Sequence, residues 1–120
     1  MAKVLIIDDQ VSIRSLLRLV LEKEGHEITE ASDGRAGLAA YQRVPADLVI
    51  ADIRMPEMNG LDLILELTRG LLDAKVIAIS GEADASDTLS SAKLLGARHV
   101  LRKPFSLKRF LSLVRYELAH

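Results

Sequence analysis

Four short apolar runs punctuate the chain: Val4-Leu5-Ile6-Ile7, Leu48-Val49-Ile50-Ala51, Val76-Ile77-Ala78-Ile79 and His99-Val100-Leu101. The intervals between them leave room for a helix. Continuous β-rich runs of this kind suit strands covered on both faces of a parallel sheet. A fifth and less apolar run, His26-Glu27-Ile28-Thr29-Glu30-Ala31, reads as an edge strand.

Helical spacing fills the gaps. Ile13, Leu16, Leu17 and Val20, and near the end Leu107, Phe110, Leu111, Val114 and Leu118, follow the i, i+3, i+4, i+7 rule that gathers apolar groups on one face. Leu61, Ile64 and Leu65 mark another helix, with Asn59 as its N-cap and Gly60 behind it. Two helices are less well marked. Arg35 to Tyr41 carries mostly small apolar residues, and Ala85 to Leu95 mixes Ser, Asp, Thr and Lys with a thin stripe of Leu89, Ala92 and Leu95. That last helix has the weakest claim on the core. The alternation of strand and helix predicts an α/β sandwich with right-handed crossovers and helices on both faces. In such sheets the functional site lies at the carboxyl ends of the strands, near the point where strand order reverses.

Composition narrows the picture. At 120 residues the chain suits one domain that buries a core without disulfides. No run approaches the roughly 20 apolar residues that a membrane helix needs. Met1-Ala2-Lys3 leads straight into an apolar run too short for a signal-peptide core, so we expect a soluble, cytoplasmic protein with no membrane partner. The absence of cysteine removes thiolate zinc sites and cysteine nucleophiles, and leaves any metal to oxygen or imidazole. A net charge of −1 lacks the basic footprint of a nucleic-acid binder, and 3% aromatic residues offer no platform for stacking bases. Direct nucleic-acid binding by this chain alone is not expected.

The residues just after the buried runs carry the chemistry. Asp8-Asp9 follow the first, Asp52 the second of the four, Ser80-Gly81 the third, and Lys103-Pro104 come shortly after the last. Taken singly these are turn, cap or surface residues more often than a site. Together they would collect three carboxylates, a hydroxyl and an ammonium at one sheet edge. Carboxylates brought together repel and raise one another's pKa unless a cation neutralises them. Oxygen-only ligands in this number suit magnesium, which shares ligands with phosphate, and manganese could substitute. A lysine opposite the acids would pair with one carboxylate at rest and with phosphoryl oxygens later. These are the parts that phosphoryl transfer to a carboxylate requires, with aspartate as a direct nucleophile.

Asp8-Asp9, the run Asp52-Ile53-Arg54-Met55-Pro56-Glu57-Met58-Asn59-Gly60, Ser80-Gly81 and Lys103-Pro104-Phe105 resemble the receiver domains of bacterial two-component response regulators, of the chemotaxis-regulator type. The likeness covers essentially the whole chain, residues 1–120, as one receiver domain with no effector domain. It implies a single flavodoxin-like (βα)5 doubly wound sandwich, a five-stranded parallel sheet in the order 2-1-3-4-5. It implies that Asp52 accepts a phosphoryl group from the phosphohistidine of a sensor histidine kinase or a histidine phosphotransfer protein, and that the chain signals by changing shape to a downstream effector protein or effector domain. Asp9, Asp52 and the backbone carbonyl of Arg54 would hold Mg2+ directly, with Asp8 acting largely through water. Ser80 and Lys103 would grip the phosphoryl oxygens, with Gly81 absorbing the backbone change. Arg54 and Glu82 would tune dephosphorylation, and the Lys103-Pro104 peptide would be cis. The family also leaves room for a homodimer through the face made by the last two helices and the fifth strand, with Lys93, Arg109 and Arg115 as candidate contributors.

Two departures stand out. Val100 occupies the position where receivers often carry an aromatic ring that swings inward, which rules out that switch and leaves neighbouring His99 as the polar reach of the same strand. Gln10 stands where a further acid is common, weakening the local negative field. Competing hypotheses are a small magnesium-dependent phosphatase with an aspartyl-phosphate intermediate, a nucleotide or flavin module, and a receiver-like interaction module that is never phosphorylated. Against the phosphatase, no second aspartate follows closely behind Asp52 as a general acid, and no cap domain encloses a substrate. We therefore expect phosphoryl transfer only to the chain's own Asp52, with self-dephosphorylation, and not an enzyme. Against the nucleotide module, Asp8-Asp9-Gln10 takes the place of a glycine-rich loop.

Overall fold

The computed structural model describes residues 1–53, 60–69, 74–81 and 95–120. Along them run β1 (Lys3–Ile7), α1 (Val11–Lys23), β2 (Glu27–Ala31), α2 (Gly34–Arg43), β3 (Leu48–Asp52), α3 (Gly60–Thr68), β4 (Val76–Ser80), β5 (His99–Arg102) and α4 (Leu107–Ala119). The proposed Asn59 cap, Lys93, and all but Leu95 of the helix expected from Ala85 to Leu95 lie outside the described residues.

All four strand pairings are parallel, and the order is β2-β1-β3-β4-β5, the flavodoxin-like arrangement. Strand order reverses between β1 and β3. Every residue of β3 and β4 is buried, whereas β2 alternates as an edge strand with one covered face should. The two-residue period of the strands divides the core. Leu5, Ile7, Val49, Ala51, Val76 and Ala78 face the side covered by α2 and α3. Val4, Ile6, Leu48, Ile50, Ile77 and Ile79 face the side covered by α1 and α4, where Leu17, Leu21, Phe110 and Val114 meet them.

The buried helix faces differ in detail from the sequence expectation. Helix α3 buries Leu63, Ile64 and Leu67 and leaves Leu65 exposed. Its window is apolar on several sides, so more than one stripe fits the 3.6 period and the sheet selects among them. Helix α1 buries Leu17 and Leu21, with Ile13 and Val20 at the margin and Leu16 facing out.

Local chemistry fixes the helix ends. Asp33 caps α2 by accepting from the Ala36 N–H at 2.8 Å, and Ser106 caps α4 by accepting from Arg109 at 3.0 Å. Past the end of α1 the Gly25 N–H donates to the Glu22 carbonyl, and the Gly25 φ of 92° turns the chain so that the His26 N–H reaches the carbonyl of Leu21. Gly37 of α2 lies so close to β1 that a Cβ there would stand 2.7 Å from Ile7 Cγ1. A side chain there would force Ile7 or the helix to shift. Arg115, a candidate for a dimer face, pairs within the chain with Glu24 at 2.7 Å.

Candidate functional site

The register of the sheet aligns the strand ends. Ile7 lies beside Ala51, Asp52 beside Ile79, and Ser80 beside Arg102. Asp8 and Asp9 therefore leave β1 next to Asp52, the last residue of β3. Each of the three offers a carboxylate oxygen within 4.8 Å of the others, with Asp8 and Asp52 buried and Asp9 exposed.

Asp8 is held at several points. Its N–H donates to the Ala31 carbonyl at 3.1 Å, and its own carbonyl accepts from Arg14 Nη1 at 2.6 Å. Arg14 is fixed in turn by Glu30 of β2, at 3.0 Å from its Nε. In the Asp8 side chain, Oδ1 accepts from the Gln10 N–H at 2.8 Å, while the buried Oδ2 has no hydrogen-bond partner among the described residues. Loss of hydration pushes its carboxyl up from an ordinary 3.8 to about 6, with the Asp52 and Asp9 charges adding to the rise and the Gln10 N–H and Lys103 opposing it.

Opposite the acids, Lys103 Nζ lies 3.6 Å from Asp52 Oδ2 and 3.2 Å from Gln10 Oε1. The Lys103 N–H donates to the Ser80 carbonyl at 2.8 Å, and the Lys103-Pro104 peptide is cis, as the resemblance implied. Ser80 is fully buried, and its Oγ, like Asp8 Oδ2, has no hydrogen-bond partner among the described residues. Beside it, Gly81, Lys103, Pro104 and Phe105 join Ile13, Leu16, Leu17 and Leu107 around a largely apolar groove of about 510 Å³. An acidic triad that can hold a metal ion thus faces an ammonium, next to a buried hydroxyl.

Asp8, Asp9, Asp52, Ser80, Gly81, Lys103 and Pro104 all come to one sheet edge as expected. Arg54 and Glu82 lie outside the described residues. His99 does not serve the site. It sits at the opposite end of β5 from Lys103, and its Nε2 is taken by the buried Glu117 of α4 at 2.8 Å. Sequence reasoning missed Arg14 and the contact of Gln10 with Lys103, because both depend on how α1 sits over the strand ends. Glu117 did leave a signal, as a carboxylate three residues after Val114 on an otherwise apolar helix face.

Residues 4–115 match the family model of the response regulator receiver domain. The chain is 38% identical to the transcriptional regulatory protein KdpE of Mycobacterium tuberculosis over 115 residues, which is 96% of this chain and 50% of that protein. It is 36% identical to the chemotaxis protein CheY of Thermotoga maritima over 108 residues, 89% of each. The crystal structure of the receiver domain of NtrX from Brucella abortus superposes with a TM-score of 0.88 at 33% identity, covering 97% of this chain and 98% of that one. The chain spans about half the length of KdpE and of the probable transcriptional regulatory protein of Picosynechococcus, at 50% and 48%. With this sheet order, these strand-end residues and this match along nearly its whole length, the chain belongs to the response regulator receiver domain family of two-component systems.

Proposed function

We propose that Asp52 is the phosphoacceptor of this receiver and that Asp8, Asp9 and Asp52 hold a divalent cation, Mg2+ by preference. The observation that carries this is the cluster of three carboxylate oxygens within 4.8 Å, two of the acids buried and one Asp8 oxygen without a hydrogen-bond partner among the described residues. Such a cluster is electrostatically unfavourable alone and suits an oxygen-ligated cation. The family resemblance implies that the carbonyl of Arg54, which lies outside the described residues, would complete the ligand set. An ion bound there would supply positive charge against the carboxylates' mutual repulsion and the phosphoryl oxygens.

The chain's own residues do the rest. An Asp52 carboxylate oxygen attacks phosphorus in line, the P–N bond of a phosphohistidine donor breaks, and its electron pair stays on the imidazole. Lys103 shifts from carboxylate to phosphoryl oxygen, moving its charge only a short way. Ser80, whose hydroxyl lacks a partner among the described residues, gains a strong charge-assisted acceptor. In this reading the chain transfers the group only to itself and later loses it to water; turnover of a free phosphate ester would instead indicate a phosphatase.

Receiver domains of response regulators work with kinases and effector domains. For this chain the donor is a sensor histidine kinase or histidine phosphotransfer protein. The test is labelling with phosphoramidate, read by intact mass. One phosphoryl group should be added only when Mg2+ is present and not at all in Asp52→Asn; equal labelling of that variant would refute the assignment.

A further inference from the structure

Gln10 occupies the N-cap of α1, a place where a polar side chain ordinarily turns back to accept from the first helical N–H groups. It makes no such bond. Its N–H is bound by Asp8 Oδ1 at 2.8 Å and its carbonyl accepts from Arg14 N at 3.0 Å, so the main chain is satisfied without the side chain. The amide points instead at Lys103 Nζ, 3.2 Å away. Its orientation is chemically determined, because an ammonium donates and never accepts, so the oxygen must face it.

We infer that Gln10 is a positioning residue for Lys103, a neutral acceptor that keeps the ammonium beside Asp52 at rest and releases it to phosphoryl oxygens. This rests on the assignment of Asp52 as phosphoacceptor. Lys103 is a flexible four-carbon stem with a compact charge, and its 3.6 Å approach to Asp52 fixes it loosely. A second acceptor, Gln10 Oε1 at 3.2 Å, narrows its range. Neutrality matters because a carboxylate here would add a full ion pair to the hydrogen bond and hold the ammonium more tightly. It would also add a fourth acid beside three already within 4.8 Å. The amide supplies direction without either penalty.

The experiment compares Gln10→Ala and Gln10→Glu in the parent and in a Lys103→Met background, with two readouts. One is the rate of phosphoramidate labelling at saturating Mg2+; the other is the 15N resonance and proton exchange of the Lys103 ammonium. Gln10→Ala should slow labelling roughly 3- to 10-fold, the rate equivalent of one hydrogen bond, and have no further effect once Lys103 is gone. Both substitutions should shift the Lys103 ammonium signal, and Gln10→Glu should slow its proton exchange. Equal slowing in both backgrounds, or an ammonium signal that neither substitution moves, would overturn the inference. A parent that takes no label would overturn the role in the reaction together with the Asp52 assignment, whereas the ammonium signal decides the Gln10 contact independently.

Discussion

Lys103 holds its ammonium 3.6 Å from Asp52 Oδ2, while its backbone N–H ties it to the end of β4. The lysine is thus the counter-charge of the acidic cluster at rest. Removing it as Lys103→Met should have two opposite effects. Mg2+ should bind more tightly, because a competing positive charge is gone, and labelling should slow by roughly 10- to 100-fold, because a preorganised donor to the phosphoryl oxygens is gone. Calorimetric titration and intact-mass kinetics measure the two. Weaker Mg2+ binding with unchanged labelling would contradict the pairing.

The raised carboxyl of Asp8 makes a statement about stability. A carboxyl moved from 3.8 unfolded to about 6 folded binds its proton more tightly in the native state. Its contribution is therefore most favourable below pH 3.8 and is lost as pH rises through about 6. We predict that Asp8→Asn stabilises the metal-free protein above pH 6 by up to about 3 kcal/mol. The gain should shrink as pH falls through that window and disappear below it. Urea unfolding with chelator across pH measures this, and added Mg2+ should cancel the gain at neutral pH. A pH-independent effect would contradict it.

Ser80 is buried with its hydroxyl lacking a partner among the described residues, an arrangement that costs folding free energy. Ser80→Ala should therefore leave resting stability unchanged or raise it by up to about 1 kcal/mol. The same substitution should remove the response to beryllofluoride, a phosphoryl mimic, in amide exchange over residues 81–95. A destabilised resting state would show that the hydroxyl has a structural partner; an equal response in parent and variant would remove it from the signal.

Much of this was legible beforehand, for physical reasons. Doubly buried strands such as β3 and β4 must be apolar along their whole length, so they announce themselves, and the polar residues that follow mark the strand ends. Helix faces were harder to read. Leu61, Leu63, Ile64, Leu65 and Leu67 allow several stripes, and only the sheet distinguishes Leu63 from Leu65. Long-range polar pairs were hidden altogether. Nothing in the sequence links Gln10 to Lys103, or His99 to Glu117, because each contact depends on crossing geometry between an element and a strand distant in the chain.

The His99–Glu117 pair at 2.8 Å joins the edge strand β5 to α4, and Lys75 Nζ adds a bond to the Glu117 carbonyl at 2.8 Å. Glu117 is 4% exposed, so losing its partner leaves a buried carboxylate poorly satisfied. His99 is itself partly open to solvent, which limits the penalty. We predict a loss of about 1–2 kcal/mol for His99→Ala in chemical denaturation, with a smaller loss for Glu117→Gln, whose amide can still bond the imidazole. The phosphoacceptor site should be untouched, so labelling rates should not change. A large change in labelling with no change in stability would place His99 in the site after all.

The most direct test of the whole account is to find where the phosphoryl group sits. After labelling with phosphoramidate and Mg2+, borohydride reduction converts an aspartyl phosphate to homoserine, and peptide sequencing by mass spectrometry locates it. The account predicts homoserine at position 52 and unmodified Asp8 and Asp9. Homoserine at position 8 or 9, or a stable phosphoryl group on a side chain that borohydride leaves intact, would contradict it.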